Sequence, residues 1–247
     1  MTSGYCTVVT GAAGGIGHAV VSRLLESPEA RVVAVDVDAA KLGEKYGGVG
    51  NVQCVACDLT APEGFAALVD GIKARHAGVC GFVHAAGVDV MAPLGMTSRS
   101  AMERLFAVHS IFPMQFLGWM AKKGNYAPGA AGVLISSLAA HEGAKGHVAY
   151  AAAKGAVEGL LRPAAAELAD KGIRLNAVVL GVVETDMSRG WMEKLSAAQA
   201  EALRGGYPLG LGRPADAAAA IAFLLSRDSR WITGQTLVCD GGHVGCR

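Results

Sequence analysis

The chain carries almost no net charge and no block of like charge. Its 22 basic and 21 acidic residues leave a formal +1, so it offers no electrostatic footprint for nucleic acid or an anionic membrane surface. Small-molecule chemistry is the expectation that remains. Long apolar runs are also missing. The longest uncharged stretch, Gly124 to Ala140, is broken by Pro128 and several glycines, which excludes a spanning helix there. No secretory leader is expected, because Tyr5 to Thr10 already reads as a strand; the protein is expected to be soluble and cytoplasmic. Nor do the six cysteines, Cys6, Cys54, Cys57, Cys80, Cys239 and Cys246, form a metal set. Cys54 and Cys57 are the one close pair, and in a strand residues three apart point to opposite faces. No second pair completes a zinc site, so reduced structural thiols and no metal are expected.

What the chain does have is alternation. Its 247 residues, 52% of them hydrophobic, suit one α/β domain spanning 1–247. Cys6 to Val9 is a short β-type run that breaks into Thr10-Gly11-Ala12-Ala13-Gly14-Gly15-Ile16-Gly17. Ile16, Ala19, Val20 and Leu24 then recur at helical spacing. Such a strand, glycine turn and helix lets backbone approach a pyrophosphate, with free N–H groups of the helix N-terminus facing its charge. The next apolar strand, Arg31 to Val35, ends in Asp36, about 20 residues past the last glycine, where a carboxylate accepts hydrogen bonds from a ribose hydroxyl pair. Asp36 would repel a 2′-phosphate, and neither Gly14 nor Val37 supplies a cation to hold one. The cofactor expected is therefore NAD rather than NADP.

Further strands are read at Val52 to Cys57, Gly81 to Ala85, Gly132 to Ser136 and Ile173 to Val179. A long amphipathic stretch, Ser98 to Lys123, falls between the second and third of these. Repeated βα units imply a doubly wound, mostly parallel seven-stranded sheet of Rossmann type, with helices on both faces and ligands beyond the carboxyl ends of the strands. Within the helix predicted from Ala149 to Leu161, Tyr150 and Lys154 lie four apart and share one face. A phenol beside an ammonium is a candidate acid/base; lowering its pKa by ~2–3 units needs roughly 3–4 kcal/mol of differential stabilisation.

In this order and spacing the motifs resemble those of the classical short-chain dehydrogenase/reductase family over nearly the whole chain. They are Thr10 to Gly17, Asp36, Asp58-Leu59, Ala86-Gly87, Ile135-Ser136-Ser137, Tyr150-x-x-x-Lys154, Ile173 to Asn176, Leu211 to Pro214, Ile232 to Gln235 and Asp240 to Gly242. The resemblance implies that Tyr150 is the general acid/base, that Lys154 lowers its pKa and binds the nicotinamide ribose, and that Ser137, 13 residues before Tyr150, polarises the substrate oxygen. It places Gly11, Gly14, Gly15, Ile16, Gly17, Asp36 and Val37 on the cofactor, with Asp58 and Leu59 flanking the adenine. Ala85, Ala86 and Gly87, then Gly181, Val183 and Thr185, complete the cofactor set, Thr185 bonding the carboxamide. A homo-oligomer, dimer or tetramer, is implied as well.

Four features depart from the pattern. His109 stands where the family usually has an asparagine that supports a proton relay, and either relay or packing is open to it. His84 replaces the first asparagine of N-N-A-G, losing a side chain that ties strands together; a buried structural role is expected. Leu180-Gly181 replaces P-G, loosening the turn under the nicotinamide. Pro163 should kink the Tyr150 helix at a cost of ~3 kcal/mol, and Gly159 would ease the clash.

The pocket is expected from Val88 to Leu94, Leu138 to His147 and Thr185 to Tyr207. A mobile lid at about 184–210 would carry Met187, Trp191, Met192 and Leu195. Lys145 or Arg189 could reach an anionic substrate; His141, Glu142 and His147 could touch polar groups or remain solvated. The expected activity is NAD(H)-dependent interconversion of a secondary alcohol and a ketone. The alternatives are an NADPH-dependent 3-oxoacyl thioester reductase and, of another class, a catalytically inactive nucleotide-binding regulatory protein.

Overall fold

A computed structural model describes residues 4–244. Seven strands form one sheet, each pairing in parallel with its neighbours: β1 (Cys6–Thr10), β2 (Val32–Asp36), β3 (Val52–Ala56), β4 (Val79–His84), β5 (Tyr126–Ser137), β6 (Arg174–Leu180) and β7 (Thr236–Cys239). Their order is β3-β2-β1-β4-β5-β6-β7. The winding therefore reverses between β1 and β4, which opens a crevice at their carboxyl ends.

Helices cover both faces: α1 (Gly15–Leu24), α2 (Ala39–Tyr46), α3 (Pro62–Arg75), α4 (Arg99–Phe106), α5 (Phe112–Met120), α6 (Val148–Ala169), α7 (Asp186–Met192), α8 (Ala197–Gly205) and α9 (Pro214–Leu225). Alternation along the strands sends Val8, Val33 and Val35 to one buried cluster and Val9, Val32 and Ala34 to the other. Strands buried on both faces read as continuous apolar runs, as these do.

The amphipathic stretch from Ser98 to Lys123 is not one uniform helix. It divides into α4, a π-helical turn at Ala107–Ile111 and α5, and His109 sits in that turn. Pro163 does not end α6, which continues through it to Ala169; apart from the backbone of the surrounding helical turns, nothing lies within 4 Å of the position a Cβ on Gly159 would take. The strand β7, for which no segment was singled out, follows the Ile232 to Gln235 motif. Asn176 explains that motif: its amide donates to the Ile232 carbonyl at 3.0 Å and its oxygen accepts from the Gln235 N–H at 3.0 Å. Arg174 caps the end of α9 through the carbonyls of Leu224, Leu225 and Ser226.

Cys6, Cys54, Cys57, Cys80 and Cys239 are free thiols, and Cys246 lies outside the described residues. Among those residues no cluster of three His, Cys, Asp or Glu side chains could hold a metal ion, and no helix is long and apolar enough to cross a membrane.

Candidate active site

The glycine turn is set by close packing. Gly11 has φ of +65°, and a Cβ there would lie 2.7 Å from the Ala86 backbone. A Cβ on Gly17 would lie 2.0 Å from the Gly11 carbonyl oxygen. Only glycine lets β1, the turn and the loop after β4 approach so closely. Asp36, at the end of β2, accepts from the N–H of Ala13 at 3.0 Å and of Asp38 at 3.1 Å. Its carboxylate is thereby fixed against the turn, with lone pairs left to accept more.

Three adjoining cavities run along the crevice. The first, of 390 Å³, is lined by Gly11, Gly14, Gly15, Ile16, Gly17, Asp36, Val37, Ala85, Gly87, His109, Tyr150, Lys154 and Thr185. The second, of 310 Å³, is lined by Ser137, Gly181, Val183 and again Tyr150 and Thr185. The third, of 200 Å³, brings in Asp58, Leu59 and Ala86 beside Asp36. Thus every residue expected on the cofactor or in catalysis reaches one continuous crevice. The Asp58 carboxyl is held below its usual pKa by hydrogen bonds from the Thr60 N–H and hydroxyl.

The two adjacent serines divide as strand alternation requires. Ser136 is buried and donates to Glu158 at 2.7 Å, whereas Ser137 lines the 310 Å³ cavity together with Tyr150, its hydroxyl oxygen accepting from the Ala139 N–H at 3.2 Å. Lys154 is buried and its Nζ donates to the Ile135 carbonyl at 2.8 Å, lying 5.7 Å from the centre of the Tyr150 ring. The expected lowering of the phenol's pKa is not what this geometry gives. Burial, reinforced by the charge of Asp89, pushes Tyr150 up to about 12 against the lowering influence of the Ser137 hydroxyl. Burial also pulls Lys154 down to about 7, against the favourable charge of Asp89. An ammonium with a weakened hold on its proton has less charge to give the phenol.

His84 does tie strands together, contrary to the loss expected at this position. It is buried, and its Nδ1 lies 2.9 Å from Thr10 Oγ1 and its Nε2 2.9 Å from the Val108 carbonyl. Burial pushes its pKa down to about 3, so the ring is neutral; Nε2 faces a carbonyl and must donate, and Nδ1 accepts from Thr10. His109 is likewise buried and pushed down to about 2, first by burial and then by Lys154. Its Nε2 lies 2.8 Å from the Val88 carbonyl and 3.3 Å from the Val88 N–H. The shorter contact assigns Nε2 as donor, leaving Nδ1 an acceptor without a partner. The ring meets Tyr150 edge to face at 5.5 Å.

The 310 Å³ cavity also holds Asp89, Met91, Glu142, His147, Met187, Trp191, Tyr207 and His243. Its lining contains neither Lys145 nor Arg189; Arg189 instead pairs with Asp186 at 2.6 Å. His141 turns away to Glu158 at 2.9 Å. Met192 and Leu195 do not line the cavity. Thr185 caps α7, its hydroxyl oxygen accepting from the Ser188 N–H at 3.3 Å, which leaves its O–H proton able to donate elsewhere. Asp89 lies within the expected pocket segment Val88 to Leu94 but was not singled out in it, and His243 was not read as a site residue at all. Asp89 follows the Ala86-Gly87 motif by two residues, and His243 reaches the cavity only through the C-terminal fold-back, where it pairs with Glu142 at 2.7 Å.

Residues 11–243 match the family model described as enoyl-(acyl carrier protein) reductase. The chain belongs to the short-chain dehydrogenase/reductase family. It is 32% identical over 247 residues to the 3-oxoacyl-[acyl-carrier-protein] reductase of Vibrio cholerae, covering 97% of each chain. It also superposes on a 4-hydroxyisoleucine dehydrogenase mutant complexed with NADH and succinate, with TM-score 0.89 and 25% identity over 97% of this chain and 98% of that one. An NADPH-bound short-chain oxidoreductase from Pseudomonas aeruginosa with an atypical catalytic center superposes with TM-score 0.84 and 29% identity, covering 96% of both chains. Members of this family bind a nicotinamide cofactor, and the Gly11 to Gly17 cradle with its packed glycines fits a pyrophosphate.

Proposed function

We propose that the protein is an NAD(H)-dependent oxidoreductase that interconverts a secondary alcohol and a ketone. One observation carries the reading: Tyr150 lies on both the glycine-lined cavity and the 310 Å³ cavity, and shares the second with Ser137. A group at that junction touches both a cofactor in the first and a substrate in the second. Asp36 supports NAD over NADP, because its carboxylate lines the glycine-lined cavity and would repel a 2′-phosphate there.

In the direction of oxidation, the Ser137 hydroxyl holds the alcohol oxygen and the Tyr150 oxygen takes the hydroxyl proton. Bound NAD would supply the acceptor for the hydride leaving the alcohol carbon. Lys154, in its protonated form beside the Tyr150 ring, would stabilise the phenolate that Tyr150 must present before it takes that proton. Thr185 and the short helices α7 and α8 cover the junction, acting as the lid at about 184–210 that keeps water out. Asp58 and Leu59 would flank the adenine, and Ala85, Ala86, Gly87, Gly181 and Val183 would complete the wall.

The same reading places the protein in the cytoplasm as a homo-oligomer, which the exposed apolar side chains of Phe223, Trp231, Leu237 and Val238 support. The likeness to the Vibrio cholerae enzyme favours a second reading, reduction of a 3-oxoacyl thioester with NADPH. A screen of secondary alcohols and ketones with both nicotinamides separates the two. Turnover of alcohols with NAD is expected, falling by about 10²–10⁴-fold in Tyr150→Phe with NADH affinity kept. Turnover confined to 3-oxoacyl thioesters and NADPH would overturn the proposal.

A further inference from the structure

The 310 Å³ cavity contains a carboxylate that the reaction as derived above does not use. Asp89 sits on the loop that leaves β4, two residues past Gly87, and lines the cavity together with Tyr150. Its Oδ1 is shut off from solvent and has no hydrogen-bond partner. A buried carboxylate oxygen without a donor is costly, and the surface that Asp89 turns to the cavity is where a bound group can supply the carboxylate with one. The other carboxylate of the cavity, Glu142, is already paired with His243 at 2.7 Å. No lysine or arginine lines the cavity, and Lys154, which feels the Asp89 charge, donates its proton to Ile135 instead.

Asp89 also stands close enough to Tyr150 for its charge to oppose ionisation of the phenol. In oxidation the Tyr150 oxygen must release the proton it takes, and a bare carboxylate beside it works against that. A substrate donor placed on Asp89 would offset this charge when the reacting alcohol is in place. The cavity therefore has a reason to hold a donor-bearing substrate and a reason to repel an anionic one.

Building on the proposed alcohol oxidation, we infer that Asp89 selects secondary alcohols and ketones that carry a hydrogen-bond donor, a second hydroxyl or a protonated amine, close to the reacting carbon. The Asp89 carboxylate accepts that donor while Ser137 and Tyr150 hold the reacting oxygen. A substrate with a carboxylate at the same place meets Asp89 and Glu142 and finds no cation.

The test uses four probes of similar size: 1-amino-2-propanol, meso-2,3-butanediol, 2-butanol and 3-hydroxybutyrate. Each is titrated calorimetrically into the protein with NADH bound, and each is assayed for oxidation with NAD and NADP, in wild type, Asp89→Asn and Asp89→Ser. The amino alcohol and the diol should bind wild type about tenfold or more tightly than 2-butanol, the scale of one hydrogen bond to a charged group. 3-Hydroxybutyrate should bind most weakly. Asp89→Asn should erase most of that advantage, chiefly through KM, while NADH affinity stays within about twofold of wild type, since the carboxylate faces substrate and the expected loss is one charged hydrogen bond.

Equal binding of 2-butanol and the donor-bearing probes would overturn the inference. So would preference for 3-hydroxybutyrate, an unchanged ranking in both variants, or a loss of NADH affinity matching the loss of probe affinity, which would assign Asp89 to the cofactor. Binding and turnover separate the two proposals. The expected ranking of affinities without turnover of any probe would sink the oxidation reading and leave the Asp89 assignment standing; turnover with the wrong ranking would do the reverse.

Discussion

The Nζ of Lys154 donates to the carbonyl of Ile135 at 2.8 Å from inside a fully buried site. That bond ties α6 to the end of β5 and aims the side chain beneath Tyr150, but burial still draws the ammonium's pKa from 10.5 to about 7. Linkage follows directly. Below about 7 both folded and unfolded chains carry the proton; between about 7 and 10.5 only the unfolded chain does, so stability rises with pH across that window. In Lys154→Met this contribution disappears. Thermal unfolding of the nicotinamide-free protein should therefore show a difference in Tm, wild type minus variant, that grows from pH 7 to pH 10. A flat difference would mean that Lys154 keeps its charge through the whole range.

Asp36 is fixed by the N–H groups of Ala13 and Asp38, and its negative charge is the ground for expecting NAD. Wild type should bind NADH more than about tenfold more tightly than NADPH, a difference of about 1.4 kcal/mol. Asp36→Ser should weaken NADH and bring the two affinities together. Fluorescence titration with both nicotinamides measures this, and equal affinities in wild type would remove Asp36 as the discriminating group.

His84 joins β1, β4 and the π-helical turn through Thr10 and Val108. His84→Leu would leave the Val108 carbonyl and the Thr10 hydroxyl without their partner, at about 1–3 kcal/mol for each group left unsatisfied. A loss of about 2–4 kcal/mol in urea unfolding is expected, larger than for a surface substitution. Little change would show that another group or water takes over both bonds.

The fold was legible because each layer wrote its period into the chain: apolar runs for strands buried on both faces, glycines where β1 and the Ala86 backbone nearly touch, and a Ser-to-Tyr spacing of 13 residues. What could not be read depends on distant segments meeting. Asp89 carries no motif of its own, and its proximity to Tyr150 arises only when the β4 loop and α6 pack. His243 lies 101 residues from its partner Glu142. The π-helical turn was hidden because a one-residue change of helical register scarcely alters an amphipathic pattern. The electrostatics of Tyr150 and Lys154 went unread for a different reason: spacing shows that two groups share a face, but the balance of burial against charge depends on what covers them.

Gly87 and His109 fit together in a way that sets the last prediction. A Cβ on Gly87 would lie 2.9 Å from Cε1 of the His109 ring. That ring is 1% exposed and wedged edge-on against Tyr150, so it cannot swing aside. Gly87→Ala should therefore cost about 1–3 kcal/mol through overpacking, and adding His109→Asn, with its shorter side chain, should recover most of the loss. Urea unfolding of the two single variants and the double variant gives the coupling directly. The same burial keeps His109 neutral, its pKa pushed down to about 2, so histidine NMR should show no titration of this ring between pH 5 and 9. A ring that titrates near neutral pH would make it a carrier of protons by charge. A ring that stays neutral while the double variant regains stability makes it a packed neighbour of Tyr150, shaped to the space that Gly87 leaves.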